Sequence, residues 1–144
     1  MRVFFDTSVL IAAALDTHED HARSFSALER ARAGNDEGII GAHTLAEMYS
    51  VLTGAPPPLR HTPQQALLSI EENVTKHCIV VALTGPEYMA LLRDCALGDV
   101  KGGTVFDALL LRTAKKASAQ RIYTLNLKHF RRFGGELQAL VTEP

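Results

Sequence analysis

Arg2-Val3-Phe4-Phe5-Asp6-Thr7-Ser8-Val9-Leu10 is the stretch on which the fold turns. Val3-Phe4-Phe5 sets one β-branched and two aromatic residues side by side with no polar interruption, the pattern of a short strand buried on both faces. Asp6 ends that run. From residue 7 to 15 the composition changes to helix formers, including Leu10, Ala12, Ala13, Ala14 and Leu15.

The same alternation continues outward. The spacing predicts a helix over 19–33 with Ala22, Phe25, Leu28 and Arg32 or Ala31 on one stripe, ended by Gly34 as a left-handed cap. Gly38-Ile39-Ile40 reads as a weak strand, and 44–52 as a helix. Gly54-Ala55-Pro56-Pro57-Pro58 is a stiff connector, too short for a domain linker. Thr62-Pro63 opens a helix reaching about Val74, with proline at its first position. Ile79-Val80-Val81 reads as the clearest buried strand. Residues 86–97 form a helix stopped by Gly98, and 104–117 the best amphipathic helix, with Phe106, Leu109, Leu110, Thr113, Ala114 and Ala117 in register. A strand at 122–125, a helical turn at 127–133 and a last strand at 137–141 complete the chain. Short apolar strands alternating with amphipathic helices predict an α/β fold of three layers, α/β/α, around a central parallel sheet of four to five strands. With 144 residues the chain has room for a single domain, 1–144, and for a core that needs no staple.

Composition narrows the class further. At 47% hydrophobic and 22% charged residues the chain is neither disordered nor a membrane protein, and its longest apolar run, 9–15, is too short to span a bilayer. Cys78 and Cys95 form no paired motif and read as buried small hydrophobes of a reducing compartment, which places the protein in the cytoplasm.

In a parallel sheet of this kind the active site lies beyond the C-terminal ends of the strands. Asp6 follows the first strand. Glu47 falls in the first turn of the helix after the second strand, and Asp107 in the first turn of the helix before the fourth. All three are thus predicted at one edge of the sheet, together with Asn126, and oxygen clusters of this type suit Mg2+ or Mn2+. A structural reading competes. Thr44 to Glu47, Thr104 to Asp107, Thr84 to Glu87 and Thr17 to Asp20 all have capping-box spacing, and Asp6 can serve as a helix N-cap.

The ordered set Phe5-Asp6-Thr7-Ser8-Val9-Leu10, Leu45-Ala46-Glu47, Phe106-Asp107-Ala108-Leu109, Ile122-Tyr123-Thr124-Leu125-Asn126 and His129-Phe130 resembles PIN-domain ribonucleases, and more narrowly the toxin subunits of VapBC-type toxin–antitoxin modules. The resemblance implies the sheet order 3-2-1-4-5, which moves Glu87 to the edge and away from the site. It implies Asp6, Glu47 and Asp107 as catalytic, metal-binding carboxylates, with Ser8 orienting Asp6 or a metal-bound water. Asn126 stands where many members carry a fourth acid; it retains an amide oxygen but no charge, which bears on whether a second ion binds. Thr124 either joins the cluster by a hydrogen bond or is plain strand structure. The implied activity is metal-dependent endonucleolytic hydrolysis of RNA, leaving a 5′-phosphate. A cation that screens three repelling carboxylates also lowers the pKa of a coordinated water for attack on a phosphodiester. The implied partners are RNA, a small cognate antitoxin lying across the groove, and a second copy in a homodimer, for which the Phe25-Leu28 stripe is a candidate surface or else core. A PIN-like module that binds RNA or protein without efficient catalysis is the alternative.

The net charge of −1 does not argue against RNA, because it is unevenly distributed. Residues 101–144 carry +5 and the first hundred −6. Lys128, Arg131 and Arg132 follow the Asn126 turn and are candidate phosphate contacts, whereas Arg112, Lys115 and Lys116 read as the solvated face of a helix. His18 and His21 read as an exposed helix start rather than a zinc site, and His129 is assigned no catalytic role. Two other enzyme or switch readings fail on placement. A haloacid-dehalogenase-type phosphatase needs a second Asp where Ser8 stands, and a receiver domain needs its phosphoacceptor after the third strand, where the chain has Ala82-Leu83-Thr84.

Overall fold

Val3, Phe4 and Phe5 are all sealed from solvent, yet they face opposite ways. Side chains alternate across a strand, so Val3 and Phe5 enter one core with Ile40, Leu10, Leu28, Met48 and Leu52, while Phe4 enters a second with Ile39, Ile122, Leu110 and Phe130. A central strand needs helices on both sides, and three layers follow. The computed structural model describes residues 1–133 and 135–144.

Five strands, β1 (Arg2–Phe5), β2 (Glu37–Gly41), β3 (Cys78–Val81), β4 (Arg121–Tyr123) and β5 (Val141–Thr142), form one sheet in the order β3-β2-β1-β4-β5. Every pairing is parallel, with Phe4 opposite Ile39 on one side and Ile122 on the other. The expected α/β architecture and strand order are both present. The first core is covered by α1 (Thr7–Ala14), α2 (His21–Arg32), α3 (Ala42–Gly54) and α4 (Pro63–Ile70), which runs on through a π-helical turn, Glu71–Thr75. The second is covered by α6 (Thr104–Lys116) and α7 (Leu127–Phe130), while α5 (Gly85–Leu97) packs on α6 through Leu91, Cys95 and Leu109.

Three local expectations are corrected. Residues 137–141 are not a strand: Glu136–Leu140 is a 3-10 helix, and only Val141–Thr142 joins the sheet. Leu137 and Leu140, one such turn apart, both pack on the second core. Ile79 and Val80 are exposed, because β3 is the outermost strand and pairs only with β2. The Phe25-Leu28 stripe divides: Leu28 is core, while Phe25 is exposed and stacks on His21. Both cysteines are buried and free, and burial pushes the Cys78 thiol up to about 11. Among the described residues no helix is long and apolar enough to cross a membrane.

Side chains packed over position 38 from β3 and α2 leave room there only for glycine. A Cβ there would meet Cys78 Sγ at 2.8 Å and Ala31 Cβ at 3.0 Å. We expect Gly38→Ala to cost about 1–3 kcal/mol through overpacking. In a Cys78→Ala background the increment should shrink, as measured by denaturant unfolding of the four-protein cycle; equal increments in both backgrounds would show that the contact with Cys78 is not the cause.

Candidate active site

The end of β1 sets the site. Phe5 pairs with Tyr123, and the Asp6 N–H donates to the Tyr123 carbonyl at 2.9 Å. Asp6 stands at the N-cap position of α1, but its carboxylate caps no helix N–H. Its Oδ2 instead accepts two hydroxyl protons, from Ser8 Oγ at 2.7 Å and from Thr124 Oγ1 at 2.7 Å. Each hydroxyl in turn accepts a backbone N–H, that of Leu125 on Ser8 (3.1 Å) and that of Asn126 on Thr124 (3.0 Å). The backbone therefore directs both protons at Asp6. Oδ1 takes no hydrogen bond among the described residues, so it remains available to a ligand.

Glu47 and Asp107 are free of capping duty. Helix α3 begins at Ala42, directly after β2, with Gly41 as its cap, so Thr44 lies inside the helix and its buried hydroxyl accepts from Thr7 Oγ1. This places Glu47 in the second turn rather than the first. Helix α6 is preceded by Gly103, which has no side chain to cap it, and the Thr104 hydroxyl accepts from Arg132 Nη1 at 3.1 Å. At residues 17–20 no helix starts. The capping box forms only at Thr84–Glu87 among the four candidates, and also at Thr62–Gln65. Lys116 and the Thr84 cap together pull Glu87 down to about 2.

Asp6, Glu47 and Asp107 line one cleft of about 510 Å3, with Ser8 and Asn126 beside them. The electrostatics record their proximity. Partial burial raises the Glu47 carboxyl, and the charges of Asp6 and Asp107 raise it further, against the opposing Thr7 hydroxyl. Burial also raises Asp107; His129 lowers it, Asp6 raises it and Arg132 lowers it. Glu47 Oε1 leans on His43 Nε2 at 3.7 Å, and Asp107 Oδ2 on His129 Nδ1 at 3.9 Å. Among the described residues no three acidic, His or Cys side chains are already closed around a common point. The donor set nevertheless suits a hard cation: three carboxylates, one with an unclaimed oxygen, and an amide. A larger cleft of about 640 Å3, between α5, α6 and Phe133, contains none of these groups.

Lys128 and Arg131 are exposed and form no ion pair among the described residues, whereas Arg132 is drawn to the start of α6, near Asp107. Arg112 and Lys116 are held by Asp94 and Glu87, so much of the cationic excess of that helix is neutralised locally. One histidine at the site, His43, has no counterpart in the sequence reading, and His18, expected at an exposed helix start, precedes α2 and is partly buried instead. His43 is four residues before Glu47, a spacing that puts both on one helix face. Its largely buried ring is pushed down in pKa by burial, with Asp6 opposing. His18 lines the cleft from the α1–α2 loop, together with Glu19 and Asp20.

Residues 3–136 match the PIN domain model. The chain belongs to the PIN-domain family. Within it, this PIN domain groups with VapC-type toxin ribonucleases: it is 37% identical over 116 residues to Ribonuclease VapC40 of Mycobacterium tuberculosis, spanning 80% of each chain. Its fold superposes on Mycobacterium tuberculosis VapC20, a sarcin–ricin-loop-cleaving toxin, with a TM-score of 0.68 at 15% identity, over 90% of this chain and 94% of that one. It also superposes on VapBC2 of Rickettsia felis bound to a promoter DNA fragment, with a TM-score of 0.67 at 18% identity, over 99% and 98% of the two chains.

A carboxyl whose pKa is raised by folding contributes stability below the unfolded value and loses it as pH rises through the raised one. At neutral pH the ionised Glu47 of this PIN domain therefore opposes folding, modestly because it is half exposed. In EDTA, Glu47→Gln should melt a few degrees above the wild type, and Mn2+ should raise the wild type more than the variant. A lower melting temperature for the variant in EDTA, or equal Mn2+ shifts, would contradict this.

Proposed function

We propose that this PIN domain is a Mg2+- or Mn2+-dependent endoribonuclease whose metal-binding and catalytic carboxylates are Asp6, Glu47 and Asp107. The observation that carries the reading is the convergence of these three acids, none of them capping a helix, on one cleft beside an Asp6 oxygen that has no donor among the described residues. A divalent ion bound there supplies charge neutralisation and acidifies water for attack on phosphorus. The chain's own groups do the rest. Ser8 and Thr124 hold the Asp6 carboxylate in place through two hydrogen bonds to Oδ2. Asn126 contributes a neutral amide, which favours a single tightly bound ion. Arg132, Arg131 and Lys128 offer cations to the phosphates flanking the scissile bond.

The similarity to VapC proteins supports the role of a toxin restrained by a small cognate antitoxin across the cleft, and a homodimer as the functional form. It also supports action in the cytoplasm, where RNA is accessible and the two free thiols persist.

Incubation with total tRNA and rRNA tests the reading. Cleavage should require Mg2+ or Mn2+, stop in EDTA, and fall by at least about a hundredfold in Asp6→Asn and Asp107→Asn, the scale of losing a principal electrostatic group. Equal RNA binding by wild type and Asp6→Asn with no cleavage by either would establish the alternative, a PIN-like binding module, for which the neutral Asn126 is the favouring observation.

A further inference from the structure

Eight of the twelve residues that line the catalytic cleft are acidic or apolar. Besides Asp6, Glu47 and Asp107 they include Glu19 and Asp20 from the α1–α2 loop, and Lys128, Arg131 and Arg132 stand outside the lining. An RNA backbone entering such a cleft needs hydrogen-bond donors, and four lining side chains have them: Thr7, Ser8, His18 and Asn126. Two are already committed. The Ser8 proton goes to Asp6, and the Thr7 hydroxyl is engaged by Thr44 and Glu47.

His18 is different because its surroundings choose which nitrogen carries the proton. Its Nδ1 accepts the Asp20 backbone N–H at 3.1 Å. An accepting nitrogen holds no hydrogen, so the ring N–H is at Nε2, which meets no acceptor among the described residues. The loop that makes this choice is itself braced. Asp20 Oδ1 receives Arg23 Nε at 2.8 Å and Nη2 at 2.6 Å, and Arg23 Nη1 reaches Glu143, beside the last strand, at 2.6 Å. A one-third-exposed ring with an oriented, unspent donor at a polyanion's cleft is built for contact rather than for packing.

We propose that His18 is an RNA-contacting residue, whose Nε2–H donates to a phosphate or ribose oxygen of the strand lying over Asp6, Glu47 and Asp107. This rests on the ribonuclease reading above and extends it from the reacting centre to the far wall of the cleft. His18 is a positioning residue: it sets how the strand lies and leaves the reacting atoms to the carboxylates.

The test uses the full chain, a fluorescein-labelled single-stranded oligoribonucleotide, and anisotropy with Ca2+ in place of Mn2+. His18→Ala should weaken Kd roughly tenfold, the scale of one hydrogen bond to a charged acceptor. His18→Gln, which restores an N–H, should return to within about threefold of wild type. The Mn2+-induced melting shift should be the same in all three, and in steady-state cleavage with Mn2+ the loss should fall on KM rather than kcat. Undiminished binding by His18→Ala, a Mn2+ shift lost along with RNA affinity, or no RNA binding by the wild type would each overturn the proposal. A wild type that binds RNA in this His18-dependent way yet cleaves nothing would count against the ribonuclease reading alone.

Discussion

Two hydroxyl protons aimed at one carboxylate oxygen hold this molecule's chemistry in place. Ser8, in the first turn of α1, and Thr124, just past β4, both donate to Asp6 Oδ2, and both are oriented by backbone N–H groups of the segment after β4. The clamp exists only because β1 and β4 are neighbours in the sheet with Phe5 opposite Tyr123. That adjacency depends in turn on Phe4 and Ile122 sharing one core while Phe5 fills the other. A buried apolar triplet therefore fixes the position of a carboxylate to within hydrogen-bond tolerance, and does so on rigid elements rather than on a loop.

The opposing constraint is electrostatic. Partial burial raises the cost of ionising Glu47 and Asp107, the charge of Asp6 raises it further at both, and that of Asp107 adds to it at Glu47. The nearest relief within the chain is weak: His43 beside Glu47, and His129 and Arg132 beside Asp107. A divalent cation relieves the repulsion more completely, and the same ion gives the cleft a reason to receive a phosphodiester. The overall charge balance conceals this arrangement, since five acids line the cleft while Lys128, Arg131 and Arg132 stand exposed outside its lining.

Much of this was legible in the sequence because it follows from local rules. Val3-Phe4-Phe5 announces a two-sided strand, Gly34 a helix end, and the 104–117 periodicity a helix, and all three appear with boundaries shifted by a residue or two. What was not legible depends on tertiary context. Four Thr-x-x-acid spacings look alike on paper, but only Thr84–Glu87 becomes a capping box, because α3 starts immediately after β2 and carries Thr44 past the cap. Ile79 and Val80 have the composition of a buried strand, and their exposure comes only from being outermost in the sheet. Nor does any spacing bring His18 to the cleft that Asp107 lines; the α1–α2 connection does so, braced from the far end of the chain by Glu143.

Anomalous diffraction from crystals soaked in Mn2+ would test the central claim most directly. The account predicts a single strong peak bounded by Asp6 Oδ1, Glu47 and Asp107, with Ser8 and Thr124 still donating to Oδ2 and no second peak of comparable strength at Asn126. A peak at Glu19 and Asp20 instead, or none in the cleft at saturating Mn2+, would contradict it.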